Sequence, residues 1–265
     1  MSSKAKNLLY RVLVAAVFAP AIILAVYFGD VFLLTFLLIV SFGLSSEFSM
    51  LPGVDFGAFR SAFFIACCML IPVLYWLDLG AIVPVFVLIA STAWFLLELL
   101  RNRTENTLET AAMGVFGLVL FGWMPSLAWE LRAGNILYVI FPLALVWIAD
   151  TAAFFAGSLI GGKKMSPVLS PNKTWAGFAG EMFGALAVGV VFWQIWPQSF
   201  GWTIVPFAAF AGLVAVGGDL FESKIKRGMK LKDSSNAIPG HGGFWDRFDS
   251  WLFVQLFAWV FFILL

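Results

Sequence analysis

The sequence predicts an all-α polytopic integral membrane protein, and three observations carry that prediction. Hydrophobic residues make up 62% of the chain and charged residues only 12%, against roughly 45–50% and 25% in soluble domains. The mean hydropathy is +0.97. Finally, the apolar residues fall in long runs separated by short polar stretches, and the basic residues keep to alternate stretches.

The spans can be taken in order. A helix rises about 1.5 Å per residue, so about 20 apolar residues cross a 30 Å hydrocarbon core. On that ruler there are about nine runs, at residues 9–28, 31–50, 61–78, 80–100, 109–130, 135–159, 176–196, 203–222 and 249–265. Unpaired backbone amides are costly in lipid, so runs of this length must be helices. The first run follows Lys4, Lys6 and Arg11, exceeds a signal-peptide core and lacks a small-x-small cleavage site, so it reads as an uncleaved anchor. With the N-terminus cytoplasmic, Arg132 alone of the 16 Lys and Arg residues falls outside. That bias sets the orientation and places the C-terminus outside. Residues 1–133 read as about five scaffold spans, lipid-facing or dimer-forming. Residues 134–265 read as a catalytic region of about four spans with cytoplasmic loops at 160–176 and 223–249.

The composition also excludes some chemistry. Cys67 and Cys68 are adjacent, with no CxxC spacing, and the chain has one histidine, so a structural zinc site is not expected. No nucleic-acid partner is expected either. Residues 157–164, GSLIGGKK, nearly match the phosphate loop GxxxxGK[ST]. Lys164, however, stands where a metal-binding hydroxyl is required, and the segment follows a membrane helix instead of a strand.

The stretch 223–249, SKIKRGMKLKDSSNAIPGHGGFWDRFD, is the least lipid-compatible part of the chain. Just before and within it, Asp219, Glu222, Ser223 and Lys226 lie at i, i+3, i+4 and i+7, one face of the eighth helix. Gly217 and Gly218 allow another backbone to approach closely. Asp246 and Asp249 share a face of the ninth helix. The helix dipole alone favours one acid there, whereas three carboxylates suggest oxygen ligands for a hard cation such as Mg²⁺. Asp150 and Glu181 are further acids inside spans, each readable as a helix-packing partner or as part of a site. The basic residues Lys224, Lys226, Arg227, Lys230, Lys232 and Arg247 exceed what orientation needs and suit a phosphate-rich substrate, although anionic lipid would also attract them. Pro239, Gly240, His241, Gly242 and Gly243 form a turn able to present amides as an anion nest. Lys163, Lys164, Lys173, Ser170 and Thr174 make a second polar wall, with Thr174 alternatively a helix cap.

These residues carry a resemblance. The order Ser223, Lys226-Arg227, Lys232-Asp233, Pro239-x-His241-Gly242-Gly243 and Asp246-Arg247-x-Asp249 resembles the C-terminal motif of the phosphatidate cytidylyltransferases (CDP-diacylglycerol synthases). Residues 149–177 are similar to the family's ADTGAY…SPKKTWEG segment, with Ala152, Asn172 and Ala176 in place of Gly, Lys and Glu; Asp150, Ser170, Pro171, Lys173 and Thr174 agree. The resemblance covers roughly the C-terminal half. It implies a membrane enzyme, a homodimer, that uses Mg²⁺, with room for a second cation such as K⁺, to make CDP-diacylglycerol from CTP and phosphatidic acid. A bacterial inner-membrane enzyme with its site on the cytoplasmic side is expected. Ser223, Lys226, Arg227, His241 and Asp246 are the expected catalytic residues. Lys173, Thr174, Lys226, Arg227, Lys232, Gly242, Gly243 and Arg247 are expected to bind substrate phosphates, and Asp219, Asp246, Asp249 and Asp150 to hold metal. Two other readings stay open: a CTP-dependent polyprenol or phytol kinase, which needs a base for its alcohol, and a transporter, whose charges belong near the midplane in repeated broken helices.

Overall fold

A computed structural model describes residues 3–101, 104–238 and 242–265, with side chains from residue 16 onward. Nine helical stretches follow one another among these residues. They are α1 (Ser3–Phe28), α2 (Asp30–Ser49), α3 (Gly57–Trp76), α4 (Gly80–Leu99), α5 (Thr107–Gly134), α6 (Ile136–Leu159), α7 (Trp175–Ile195), α8 (Ile204–Gly228) and α9 (Trp245–Leu264). The last eight are each long and apolar enough to cross a membrane, and α1 contributes an apolar stretch at Ala16–Phe28. The chain is therefore an all-α polytopic membrane protein. Each helix coincides with one apolar run of the sequence. The side chains of Lys4, Lys6 and Arg11, and Arg103 altogether, lie outside the described residues.

One departure from all-α is a two-stranded antiparallel hairpin between α6 and α7, β1 (Lys164–Ser166) and β2 (Ser170–Thr174), in which Lys164 pairs with Thr174 and Ser166 with Ser170. The strands are too short and too polar to show alternation in sequence. A second departure lies inside α5, where Leu118–Trp123 winds as a π-helix. Pro125 lacks an amide to donate, and the Ser126 hydroxyl donates to the Gly122 carbonyl at 2.6 Å.

The chain divides into two compact units, Met1–Glu130 with Asp233–Arg247, and Leu131–Lys232 with Phe248–Leu265. The first is built on an aromatic core. Phe48, Phe56, Phe64, Trp94 and Phe121 are buried, with Phe56 and Trp94 edge-to-face at 4.5 Å, a favoured ring geometry. From the returning segment Trp245 joins them, 5.8 Å from Phe48 and 5.2 Å from Phe121. Buried Glu98 is held by Arg60 and by Arg101 at 3.0 Å, and Arg101 reaches Asp55 at 2.7 Å. A buried carboxylate needs such pairing.

The second unit is packed through small residues, as helices in lipid commonly are. A Cβ on Gly184 would lie 3.0 Å from the Ala149 backbone of α6, and one on Gly212 would lie 2.8 Å from the Ala185 side chain of α7. Glycine faces alanine where α6, α7 and α8 come close. Asn135 caps α6 by accepting from the Leu137 amide at 3.0 Å. Phe141, Phe192, Phe200, Phe207 and Phe262 fill the far part of this unit with ring contacts.

Candidate active site

The second unit gathers its acids where α8, α9 and β2 meet. The face expected on α8 is present: the Ser223 hydroxyl donates to Asp219 Oδ1 at 3.2 Å, and Lys226 Nζ pairs with Glu222 Oε2 at 2.6 Å. Gly218 lets α9 in, since a Cβ there would lie 2.9 Å from the Asp249 carbonyl. Gly217, expected to serve the same purpose, faces open space. The Ser250 hydroxyl donates to the Ala215 carbonyl at 3.0 Å and locks the two helices in register. As a result, oxygens of Asp219, Glu222 and Asp249 lie within 4.8 Å of one another.

Lys173, at the end of β2, reaches this cluster and pairs with Asp219 Oδ2 at 2.6 Å. Burial pulls the Lys173 ammonium down, but the carboxylates of Asp219, Glu181 and Asp249 and the bond to Asp219 outweigh it, so the group titrates above its ordinary value. The charges of Asp150 and Glu181 are also felt here, at Asp249 and at Lys173 respectively. Five carboxylates, Asp150, Glu181, Asp219, Glu222 and Asp249, thus share a neighbourhood with the ammonium groups of Lys173 and Lys226. Three converging hard oxygens and an excess of negative charge fit a small divalent cation such as Mg²⁺.

Two expected phosphate ligands turn out to be committed within the protein. Lys226 is buried against Glu222. Arg227 donates to the carbonyls of Leu169, at 3.2 Å, and Leu231, at 2.6 Å, which ties the hairpin to the end of α8. Thr174 is the cap that sequence offered as its alternative, accepting from the Gly177 amide at 3.0 Å. Lys163, Lys164, Lys224, Lys230 and Lys232 are exposed.

The segment Asp233–Arg247 of the first unit is organised differently. Asp246 Oδ2 accepts from the Ser234 amide at 2.9 Å, the Ser234 hydroxyl at 2.7 Å and the Gly243 amide at 2.7 Å. Gly242 has φ 83°, a left-handed conformation that glycine takes without strain, and its carbonyl accepts from Ile238 at 2.8 Å. Arg247 is exposed. His241, with Pro239 and Gly240, lies outside the described residues. The Gly243 amide, expected as part of an anion nest, is taken by Asp246, and the amides of Phe244 and Trp245 that follow it are taken by Glu47 of α2 at 2.7 and 3.3 Å.

Asp219 and Asp249 therefore stand together as expected. Glu222, seen in sequence only as a member of the α8 face, completes their triad. Asp246 is a loop organiser. A carboxylate has about four lone-pair directions, so accepting three bonds does not preclude binding a cation. Glu47 gave no motif. The signal that could have found it is physical, because an acid in an apolar span needs a partner.

Fold and site together define an integral membrane protein in which acids and lysines are clustered where α8, α9 and β2 meet. The Cytidylyltransferase family matches residues 9–265, and the chain belongs to that family of nucleotidyltransferases. Among its relatives, the protein of Brucella suis biovar 1 (strain 1330) named phosphatidate cytidylyltransferase is 31% identical over 247 residues, covering 92% of this chain and 88% of that protein. The similarly named protein of Staphylococcus saprophyticus is 33% identical over 168 residues, 63% of this chain and 65% of its own length.

Proposed function

We propose that this chain transfers the cytidylyl group of CTP to phosphatidic acid, giving CDP-diacylglycerol and pyrophosphate. The observation that carries the reading is the similarity, over 92% of the chain, to a protein named phosphatidate cytidylyltransferase. The carboxylate and lysine cluster supplies chemistry to match. A phosphatidate oxygen forms a bond to the α-phosphorus of CTP, and the bond from that phosphorus to the bridging oxygen breaks as pyrophosphate leaves. The nucleophile is already an anion at neutral pH, so no strong base is required. The barrier lies in bringing polyanions together and aligning them.

Asp219, Glu222 and Asp249, with Asp150 as a further acid of the same unit, would hold Mg²⁺, and a monovalent cation such as K⁺ suits the surplus of carboxylates. The resemblance to the family motif implies a metal role for Asp246 as well. Bound there, Mg²⁺ neutralises charge on the transferring phosphate. Lys173 fixes the Asp219 carboxylate and, once a cation replaces it there, can turn to phosphate. Ser223 orients Asp219, and Lys226 orients Glu222. Arg227 holds the hairpin against the end of α8, so that exposed Lys163, Lys164, Lys230 and Lys232 flank one polar surface. The resemblance to the family motif implies phosphate contacts for Gly242, His241 and Arg247 as well. On the reading of nine spans with a cytoplasmic N-terminus and an external C-terminus, this surface would face the cytoplasm at a bacterial inner membrane. Soluble CTP can then meet a lipid whose acyl chains stay in the bilayer. Assembly as a homodimer belongs to the same reading.

The test is label tracing with the purified protein in detergent, phosphatidic acid and Mg²⁺, using CTP labelled at the α or the γ phosphate. Entry of the α label into lipid with release of pyrophosphate is the expected result. Entry of the γ label into an added lipid alcohol would make the chain a kinase. Entry of neither would overturn both enzyme readings and reopen the transporter.

A further inference from the structure

We infer that Glu47, on the second span of the N-terminal half, is a positioning residue that seats Ser235, Phe244 and Trp245 and sets where α9 begins. The inference deepens the reading above and rests on it. Glu47 is only 5% exposed, in a helix whose other buried residues are apolar or small. Its carboxylate accepts from the Phe244 amide at 2.7 Å, the Trp245 amide at 3.3 Å and the Ser235 hydroxyl at 2.9 Å. The first two donors open α9, where helical amides have no partner of their own and a negative charge is favoured by the dipole. One side chain, nearly two hundred residues away in sequence, thus caps that helix from outside.

The surroundings are built to this contact. A Cβ on Gly243 would collide with both Glu47 oxygens and with Ser234 Oγ, and a Cβ on Gly43, one helical turn before Glu47, would collide with the Phe244 ring. Trp245 is buried beside Phe48 and Phe121. Glu47 therefore orders the residues that lead into Asp246 and Arg247.

Glu47→Gln and Glu47→Ala, made in the full chain and held in lipid nanodiscs, test this. Gln keeps one acceptor at the same reach and the shape of the side chain. One readout is independent of turnover: the rate of tryptic cleavage at Lys232 and Arg247, which flank the segment. The other is kcat with CTP and phosphatidic acid, with and without formate. Cleavage is expected to rise, and kcat to fall, by about tenfold or more in Glu47→Ala and less in Glu47→Gln, with formate restoring part of both in the Ala variant because it can refill the carboxylate seat. Cleavage and kcat within twofold of the parent in both variants would overturn the inference. So would a kcat loss in Glu47→Ala that merely tracks the unfolded fraction, without new cleavage at these two sites. If the parent chain is itself inactive with CTP, the functional reading fails, while the cleavage arm still decides the role of Glu47.

Discussion

The acids at the end of α8 and those around Asp233–Arg247 are satisfied in opposite ways. Asp219, Glu222 and Asp249 face one another; cationic or hydroxylic side chains meet the first two, and Asp249 accepts from the Ser250 amide at 2.6 Å. Asp246 and Glu47 face backbone amides and serine hydroxyls. Like charges gathered at short range are unfavourable unless something positive joins them. Amides closing on a carboxylate are favourable as they stand. The first arrangement leaves negative charge in excess, and the second fixes a backbone. Acids of similar appearance in sequence thus do different work according to what faces them.

The largest expected effect separates these two kinds of acid. Asp249→Asn should lower turnover by more than about 100-fold and raise the Mg²⁺ needed for half-maximal rate, since replacing even a residue that supports a metal ligand typically costs 10- to 100-fold. It should leave tryptic cleavage at Lys232 and Arg247 unchanged. Asp246→Asn should lower turnover as well, but cleavage should rise with it, because an amide supports the three bonds now made to Oδ2 less well. Equal cleavage in the two variants would erase the distinction.

How much of this was legible in sequence follows from range. The spans were readable because lipid forces each run of about 20 apolar residues to satisfy its own backbone. The α8 face was readable because Asp219, Glu222, Ser223 and Lys226 repeat at helical spacing, which is local. Glu47 was not, because its partners are set by tertiary packing and its neighbours Ser45, Ser46 and Phe48 form no motif. The charge of Arg227 and Lys226 is legible, but it does not reveal their contacts with the Leu169 and Leu231 carbonyls and with Glu222, which tertiary and helical packing set. The hairpin escaped because strands of three and five residues containing Ser, Pro and Lys leave no period to detect.

An intermediate effect is expected at Lys173, the cation that balances the α8 cluster. Lys173→Met should lower turnover by about tenfold, the usual scale for losing one charge-assisted contact. It should also lower the Mg²⁺ needed for half-maximal rate, since a competing positive charge is removed. A rise in that requirement would mean that Lys173 organises the acids and does not compete for them. The sign of its pH dependence follows from its raised titration. The protonated form is favoured in the folded protein, so its contribution is present in full below the ordinary lysine value of 10.5 and is lost only as pH climbs through the higher folded value. The difference in melting temperature between parent and Lys173→Met should therefore be flat from pH 7 to about 9.5 and shrink above about 10.5.

The smallest effect is expected at Thr174, which adjoins Lys173 but belongs to the class of groups that fix backbone. Its hydroxyl accepts from the Gly177 amide at 3.0 Å in the first turn of α7, and the side chain is buried. Removing such a cap costs about 1 kcal/mol, which in a chain of this size lowers Tm by about 2–4 °C. Thr174→Ser keeps the acceptor and should restore most of it. Neither variant should change the Mg²⁺ requirement, because the hydroxyl is spent on an amide and not on an acid of the cluster. A Thr174→Ala variant with unchanged Tm but a raised KM for CTP would move Thr174 to the other side of the comparison, among the groups kept for substrate, and would mean that the Gly177 contact yields when CTP binds.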